Sequence, residues 1–246
     1  MTQNVTHRPR LAILKTGTTY PDIRARFGDF DAWFLRSLPD DLDVTVVDVS
    51  AGEQPAEPGH WHGVIVTGSP AMVSDREPWS EATAAWLARA VDAALPVLGV
   101  CYGHQLLAHA LGGHVDWHPD GRETGTQQVH LRPEATDDRL FAGLPERFPA
   151  QLTHRQSVRA LPPGAVLLGH SEAEPHQAFR IGACAWGVQF HPEFTDEIMR
   201  AYLDSQRQTL VQEGRDAQGL IDAVQPALHA SSLLHRFAAL VQERAG

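Results

Sequence analysis

The hydrophobic and polar positions of the first hundred residues alternate between strand-like and helix-like patterns. Short apolar or β-branched runs predict buried strands at residues 11–14, 44–49, 63–67 and 96–100. Apolar residues at helical spacing predict helices at residues 22–38 and 81–94, the second with Pro78 near its start. Because parallel strands need crossover connections, this βαβ alternation predicts an α/β fold with a doubly wound, mostly parallel sheet.

The second half of the chain has a different pattern. Residues 115–190 contain short apolar runs divided by Gly and Pro, which predicts short strands appended to the same sheet. After Phe194 the pattern becomes helical again, and two short amphipathic helices are expected to dock on the core of the chain rather than on a partner. Their apolar faces consist of Leu220, Ile221, Val224 and Leu228, then Leu233, Leu234, Phe237, Leu240 and Val241.

Composition limits the class of protein. The 246 residues carry a net charge of −10, which argues against a protein that binds the phosphate backbone of nucleic acids. The N-terminal residues lack an apolar signal-peptide run, and no apolar stretch reaches the ~18 residues of a membrane span. We therefore expect a cytoplasmic protein with neither nucleic acid nor membrane as a partner. The two cysteines exclude a disulfide framework.

One cysteine lies in a distinctive segment. Cys101 follows the apolar run 96–100 directly and has glycines at i−2 and i+2, Gly99 and Gly103. This pattern predicts a sharp strand-to-helix turn, in which glycines leave room where side chains would clash. A cysteine at the first turn of a helix is favoured as a thiolate, and the Tyr102 N–H can face an oxyanion. The alternative is a structural buried cysteine, the role that we assign to Cys184.

A thiolate nucleophile needs a proton carrier, and the chain has 14 histidines. His191 and Glu193 follow the apolar run 186–190 at a spacing of two, which places both side chains on the same side of an extended segment. Glu193 can then hold one imidazole nitrogen while the other faces the sulfur. The alternative is an ordinary surface His-Pro-Glu segment.

Several other histidines recur at short intervals and raise the question of a metal site. His104, His109, His114 and His118 have no cysteine or carboxylate at ligand spacing, and they cover a predicted helix and the strand after it. We expect no metal there. His154 is expected to line a pocket rather than to catalyse.

The segments around Cys101 and His191 together resemble the class I, triad-type glutamine amidotransferases, whose hallmarks are Gly-x-Cys-x-Gly-x-Gln and a distant His-Pro-Glu. The likeness covers residues 11–193 and points to stand-alone members similar to the glutaminase domain of GMP synthase. It implies a flavodoxin-like fold with an N-terminal tail at 1–10, a glutamine amidotransferase type 1 domain at 11–200 and a helical extension at 201–246 packed on that domain.

The resemblance also implies roles for residues outside the triad. Segment 66–70 occupies the place of the second oxyanion loop, segment 152–154 that of a pocket strand, and Gln105 that of a residue contacting the substrate. The implied substrate and oxyanion contacts are Gly68, Ser69, Tyr102, Gln105, Thr153 and His154.

Two departures from the family pattern leave questions open. Gly68-Ser69-Pro70 replaces the usual Gly-Gly-Pro, so the N–H that completes the oxyanion hole is undetermined. Segment 155–158 lacks the acidic residue that several relatives carry after the pocket histidine, which leaves substrate choice open.

The implied activity is hydrolysis of the glutamine side-chain amide through a γ-glutamyl thioester on Cys101, with no cofactor. One alternative is a γ-glutamyl peptidase or hydrolase with the same triad, and another is a non-catalytic subunit that binds a partner. Only about fifty residues follow Glu193, too few for an ATP-using domain. We therefore expect the ammonia to pass to a separate synthetase subunit or to no acceptor.

Overall fold

The structure is a computed structural model that describes residues 8–246. Residues 1–7, most of the predicted N-terminal tail, lie outside this range. Within it, a nine-stranded sheet has the order β2-β1-β3-β4-β11-β10-β9-β6-β7. Its strands are β1 (Arg10–Lys15), β2 (Asp43–Asp48), β3 (Gly63–Val66), β4 (Val97–Val100), β6 (Glu123–Leu131), β7 (Arg147–His154), β9 (Val166–His170), β10 (Ala178–Ile181) and β11 (Ala185–Val188). A separate antiparallel pair consists of β5 (His114–Trp117) and β8 (Gln156–Ala160).

The large sheet has a parallel half and an antiparallel half. Strands β2, β1, β3, β4 and β11 pair in parallel, and the pairings from β11 through β10, β9 and β6 to β7 are antiparallel. This confirms the predicted α/β fold with appended strands. The carboxyl ends of the parallel strands share one edge, where open α/β sheets bind their ligands.

Helices cover both faces of the sheet. They are α1 (Pro21–Phe27), α2 (Phe30–Ser37), α3 (Pro78–Asp92), α4 (Tyr102–Ala110), α5 (Asp196–Ser205), α6 (Arg207–Gln212), α7 (Ala217–Asp222) and α8 (Leu228–Ala245). Alternate residues of β1 point to opposite faces, so Leu11 and Ile13 pack with α2 and α8 while Ala12 and Leu14 pack with α3 and α4. Within residues 8–246, no helix has both the length and the apolar character that a membrane crossing requires.

The prediction of one helix over residues 22–38 is wrong, because the segment breaks at Gly28 and Asp29. Gly28 has a φ of 84°, and Asp29 caps α2 by accepting a hydrogen bond from the Phe30 N–H at 3.0 Å. The same oxygen accepts from the Thr19 N–H at 2.9 Å, and the other lies 2.9 Å from Lys15 Nζ. These local bonds replace helical ones, as short polar side chains often do.

The C-terminal region is more helical than its apolar pattern indicates. Helices α5 and α6 precede the two predicted helices. Leu228 lies at the start of α8 and is 76% exposed, so its assignment to a buried face is wrong. The other predicted apolar positions of α8 are buried, and Val241 packs so closely on β3 that a Cβ at Gly63 would overlap it.

Two leucines of α8 give a matched test of this packing. Replacing the fully buried Leu234 by alanine should lower the free energy of unfolding by about 2–5 kcal/mol, because it leaves a cavity in the core. Replacing the exposed Leu228 by alanine should change it by less than about 0.5 kcal/mol. Denaturant titration of both variants measures the difference, and equal effects would contradict the docking of α8.

Candidate active site

Cys101 lies between β4 and α4 in a conformation that is unusual for a side chain other than glycine. Its φ is 51° and its ψ is −101°. Non-glycine residues reach positive φ only when surrounding structure holds them there, at a cost of about 1–3 kcal/mol. The Cys101 N–H donates to the Val188 carbonyl at 2.9 Å, and its carbonyl accepts from the Gln105 N–H at 3.1 Å. The end of β11 and the first turn of α4 thus hold the strained residue.

The two glycines around Cys101 are required by close backbone approach. A Cβ at Gly99 would overlap the Gly103 carbonyl, and a Cβ at Gly103 would overlap the Val66 carbonyl of β3. This confirms the steric reason that the sequence suggests for both glycines.

His191 and Glu193 form a buried pair beside Cys101. His191 Nδ1 lies 2.7 Å from Glu193 Oε1, and both side chains are almost fully buried. Burial by itself lowers the pKa of His191, but the charges of Glu193 and Cys101 outweigh it, so the pKa is raised. The imidazole also stacks on Phe194 at a centroid distance of 4.1 Å. His191 Nε2 has no hydrogen-bond partner among residues 8–246, so it is the nitrogen available to the thiol or to a ligand.

A cavity of about 280 Å³, the Cys101 pocket, has Cys101 and His191 in its wall. It extends from the buried Cys101 to the exposed Tyr20 and Arg155, so it reaches the protein surface. Most of the predicted contacts line it: Ser69, Tyr102, Gln105, Thr153 and His154. Gly68 is not among the residues that line the pocket, but a Cβ built on it would lie 3.0 Å from His191 Cε1 and 3.7 Å from Cys101 Cβ.

The serine that departs from the Gly-Gly-Pro pattern has a structural partner. Ser69 Oγ donates to the Thr16 carbonyl at 2.6 Å and accepts from the Ala71 N–H at 3.1 Å. This hydroxyl ties the loop after β3 to the end of β1, and Gly17 provides the space beside it.

Two of the predicted contacts use their side-chain polar groups within the protein. The Tyr102 hydroxyl lies 2.6 Å from Ser80 Oγ, and burial raises the pKa of Tyr102 to about 12. Gln105 Nε2 donates to the Gln156 carbonyl at 2.8 Å and to Gln189 Oε1 at 2.9 Å. Both amide hydrogens of Gln105 are therefore engaged, and its predicted contact with substrate remains a prediction.

The structure reveals a second buried imidazole–carboxylate pair in the pocket wall. His154 Nε2 lies 2.8 Å from Glu123 Oε2, and Nδ1 lies 2.8 Å from the Gln156 carbonyl oxygen. Both ring nitrogens face acceptors, and only a protonated imidazole donates from both. Burial lowers the pKa of His154, but Glu123 more than offsets this and raises it. Ser171 and Gln177 also donate to Glu123, at 2.6 and 2.8 Å.

Several residues of this region were not identified from the sequence, among them Arg122, Glu123, Tyr202 and Gln206. Glu123 reaches His154 because β6 pairs antiparallel with β7 in a register that sets the two opposite each other. Tyr202 and Gln206 come from the C-terminal region, and the Tyr202 hydroxyl lies 2.5 Å from Thr19 Oγ1. The only available signal was the amphipathic pattern of residues 196–206, which indicates a buried face but no ligand.

The histidines at short intervals have separate environments. His104 is fully buried, and desolvation lowers its pKa to about 3. His109 lies 2.9 Å from Glu81, and His118 Nε2 lies 3.0 Å from the Ala173 carbonyl oxygen. No group of three or more potential ligands is placed to hold a metal in the described part of the chain. Cys184 packs partly buried against the core, with its sulfur 3.2 Å from the Ala94 carbonyl oxygen.

Comparison with known proteins relates this chain to a protein family. The family model "Glutamine amidotransferase class-I" matches residues 34–206. The glutamine-hydrolyzing GMP synthase of Thermomicrobium roseum is 41% identical over 131 residues, which cover 53% of this chain and 23% of that protein. A subunit of the glutamine-hydrolyzing GMP synthase of Methanopyrus kandleri is 33% identical over 135 residues, 53% of this chain and 66% of that one. The matched segment is thus about a quarter of the Thermomicrobium protein.

Solved structures resemble almost the full length of the chain. A glutamine amidotransferase of Thermotoga maritima has a TM-score of 0.73 at 21% identity, covering 97% of this chain and 99% of the other, which shows the fold. A glutamine amido transferase of Methylobacillus flagellatus has a TM-score of 0.67 at 25% identity, covering 96% and 93%.

The charge state of His154 can be tested by removing its carboxylate. Glu123→Gln should lower the pKa of His154, because the charge that stabilises the imidazolium is lost while burial continues to oppose it. Histidine ¹H–¹⁵N spectra recorded across pH, with the signal assigned through His154→Gln, measure the change. The exposed Glu172→Gln is the matched control and should leave this pKa unchanged. An unchanged pKa in Glu123→Gln would contradict the pairing.

Proposed function

The chain belongs to the class-I glutamine amidotransferase family, and we propose that it hydrolyses the side-chain amide of glutamine to glutamate and ammonia. The observation that carries this proposal is the placement of Cys101, held at positive φ at the end of β4, beside the buried His191–Glu193 pair in the wall of one pocket. A strained nucleophile, an adjacent base and a group that orients the base are the parts that acyl transfer needs.

In the proposed reaction, the Cys101 thiolate attacks the amide carbon of the substrate and forms a carbon–sulfur bond. The carbonyl oxygen then carries the negative charge. The N–H of Tyr102, at the first turn of α4, and an N–H of the loop at Gly68 are proposed to stabilise it. Support comes from the closeness of Gly68 to the side chain of Cys101.

His191 is proposed to carry the protons of both half-reactions. It donates a proton to the departing nitrogen as the tetrahedral adduct collapses to a γ-glutamyl thioester and ammonia. It then takes a proton from water, which attacks the thioester and releases glutamate and the free thiol. Glu193 accepts a hydrogen bond from His191 Nδ1, so Nε2 is the nitrogen left to exchange protons. The Glu193 carboxylate also stabilises the imidazolium of His191 when that cation forms.

A second candidate function keeps this chemistry but changes the leaving group. A γ-glutamyl peptidase or hydrolase would cut γ-glutamyl amides of larger amines. Two observations favour retaining it: the Cys101 pocket reaches the surface at Tyr20 and Arg155, and segment 155–158 lacks the acidic residue that several relatives carry after the pocket histidine. An open path from the sulfur to solvent gives room for a larger amine.

If the chain is an amidotransferase, we propose that its ammonia passes to a separate synthetase subunit. Support comes from the relative in Methanopyrus kandleri, whose name describes it as one of the subunits of a GMP synthase. We also propose that the helical extension from residue 201 belongs to the same functional domain as residues 11–200, since Tyr202 and Gln206 line the pocket.

The two cysteines provide a matched test of the proposed nucleophile. Cys101→Ser should lower the rate of glutamate release from glutamine by about 10³-fold or more, because a hydroxyl is a far weaker nucleophile beside the same base. Cys184→Ser should keep close to the wild-type rate, since Cys184 lies outside the Cys101 pocket. Mass spectrometry should find a γ-glutamyl adduct on Cys101 alone. Full activity of Cys101→Ser would overturn the assignment.

Substrate comparison separates the candidate functions. The isolated chain should release glutamate from glutamine, and a partner synthetase should not be required for the chemistry itself. Faster release from γ-glutamyl dipeptides than from glutamine would favour the peptidase. If neither class is cleaved, whether the chain is isolated or mixed with its synthetase, the non-catalytic alternative is correct.

A further inference from the structure

Apart from the proposed Cys101 thiolate, the charged side chains of the Cys101 pocket are all basic. Arg122, His154 and Arg155 line it together with His191, whereas none of its lining residues within the described range 8–246 is Asp or Glu. Glutamine and γ-glutamyl amides carry an α-carboxylate and an α-ammonium at the end remote from the reacting amide. The wall therefore offers cationic groups for the carboxylate and no carboxylate for the ammonium.

His154 is not the group that binds the carboxylate. Its two ring nitrogens are already engaged by Glu123 and by the Gln156 carbonyl oxygen, at 2.8 Å each. The side chain thus has no free N–H to donate into the pocket.

Arg122 has the free donors that His154 lacks. Its Nε and Nη2 each lie 3.2 Å from a Glu213 oxygen, and its Nη1 lies 3.0 Å from Gln206 Oε1. A guanidinium has five N–H groups, so these three bonds leave two unused. Arg122 is 8% exposed. It is therefore a nearly buried guanidinium in the wall, held by Gln206 and by an ion pair with Glu213, and it keeps two N–H groups to donate.

Gln206 places this guanidinium relative to the reacting end of the pocket. It caps α5 one turn after Tyr202, a separation of about 6 Å along a helix axis. Tyr202 packs on Phe194 at 4.9 Å, and Phe194 stacks on His191. Gln206 and Tyr202 thus connect Arg122 to the aromatic residues that pack on His191. Gln206 Nε2 also bonds Thr153 Oγ1 at 3.3 Å, which ties this end of the pocket to β7.

The segment that lacks the acidic residue contributes a neutral side chain that faces elsewhere. Gln156 belongs to segment 155–158, which has no acid after the pocket histidine. Its Nε2 donates to Ser74 Oγ at 2.5 Å, and its Oε1 accepts from the Ser74 N–H at 3.3 Å. A neutral amide with both ends engaged does not replace a carboxylate as the partner of an α-ammonium.

We propose that Arg122 binds the α-carboxylate of the substrate and that the α-ammonium is not recognised by a charged partner. The substrate class is then the γ-monoamides of five-carbon dicarboxylic acids, with or without the amino group. This inference rests on the proposed function for the identity of the reacting amide. Arg122 is in this proposal a specificity-determining residue that touches the substrate away from the reacting atoms.

Three ligands test the proposal on the Cys101→Ser variant, in which binding is measured by calorimetry without turnover. They are glutamine, glutaramic acid, which lacks the amino group, and glutaminamide, which lacks the α-carboxylate charge. Glutaramic acid should bind within about tenfold of glutamine. Glutaminamide should bind at least about 30-fold more weakly, because it loses a charge-assisted pair with a nearly buried guanidinium.

Substitution of Arg122 should act on the ligands selectively. Adding Arg122→Gln to the Cys101→Ser variant should weaken the binding of glutamine and of glutaramic acid by at least about tenfold. The binding of glutaminamide should stay unchanged. Arg159→Gln, at an exposed arginine of β8, is the matched control and should alter none of the three. If Arg122→Gln does not fold, the order of the three ligands on Cys101→Ser alone decides the proposal.

Failure of this proposal is distinguishable from failure of the proposed function. Glutaminamide binding as tightly as glutamine, or no binding of any ligand, would overturn carboxylate recognition by Arg122. Loss of glutaramic acid binding would overturn the claim that the α-ammonium has no charged partner. If the ligands bind in the expected order and the wild-type chain releases no ammonia from any of them, carboxylate recognition stands and the hydrolase is overturned.

Discussion

The close approach of the first turn of α4 to strands β3 and β4 is the constraint on which the site depends. Gly103 lies against the Val66 carbonyl and Gly99 against the Gly103 carbonyl, so neither position has room for a side chain. This contact places Cys101 at the carboxyl edge of the parallel strands and forces its backbone to positive φ. The bond from the Cys101 N–H to Val188 then ties the cysteine to β11, the strand that leads to His191. This steric requirement thus aligns the Cys101 and His191 segments, which are far apart in the sequence.

Local patterns account for what the sequence could predict. The strand and glycine pattern around Cys101 predicted its turn, and the spacing of His191 and Glu193 predicted their contact, because neighbours along the chain determine both. The interrupted helix at Gly28 was missed because the bonds of Asp29 with Thr19 and Lys15 are invisible to apolar periodicity. The exposed Leu228 was misplaced for a related reason, since periodicity does not say where a helix begins.

Long-range pairing accounts for what the sequence could not predict. Glu123 meets His154 because of the β6–β7 register, and a shift of that register by one residue would turn Glu123 to the other face of the sheet. Arg122 is oriented by Glu213 and Gln206, which come from the far end of the chain. No local motif contains these partners. The sequence therefore predicts the reacting groups better than the groups that surround the substrate.

The contribution of α5 to the pocket has a consequence for the order in which the site is assembled during synthesis. Domains begin to fold from the N-terminus while the ribosome is still adding residues. Cys101 is synthesised early, but Val188, which accepts the hydrogen bond from its N–H, and then Tyr202 and Gln206 emerge about a hundred residues later, which takes roughly 5–20 seconds at the usual elongation rate. During that interval Cys101 lacks both its backbone partner on β11 and a complete pocket wall. The nascent protein therefore contains the Cys101 thiol before the C-terminal residues of the pocket wall have been synthesised.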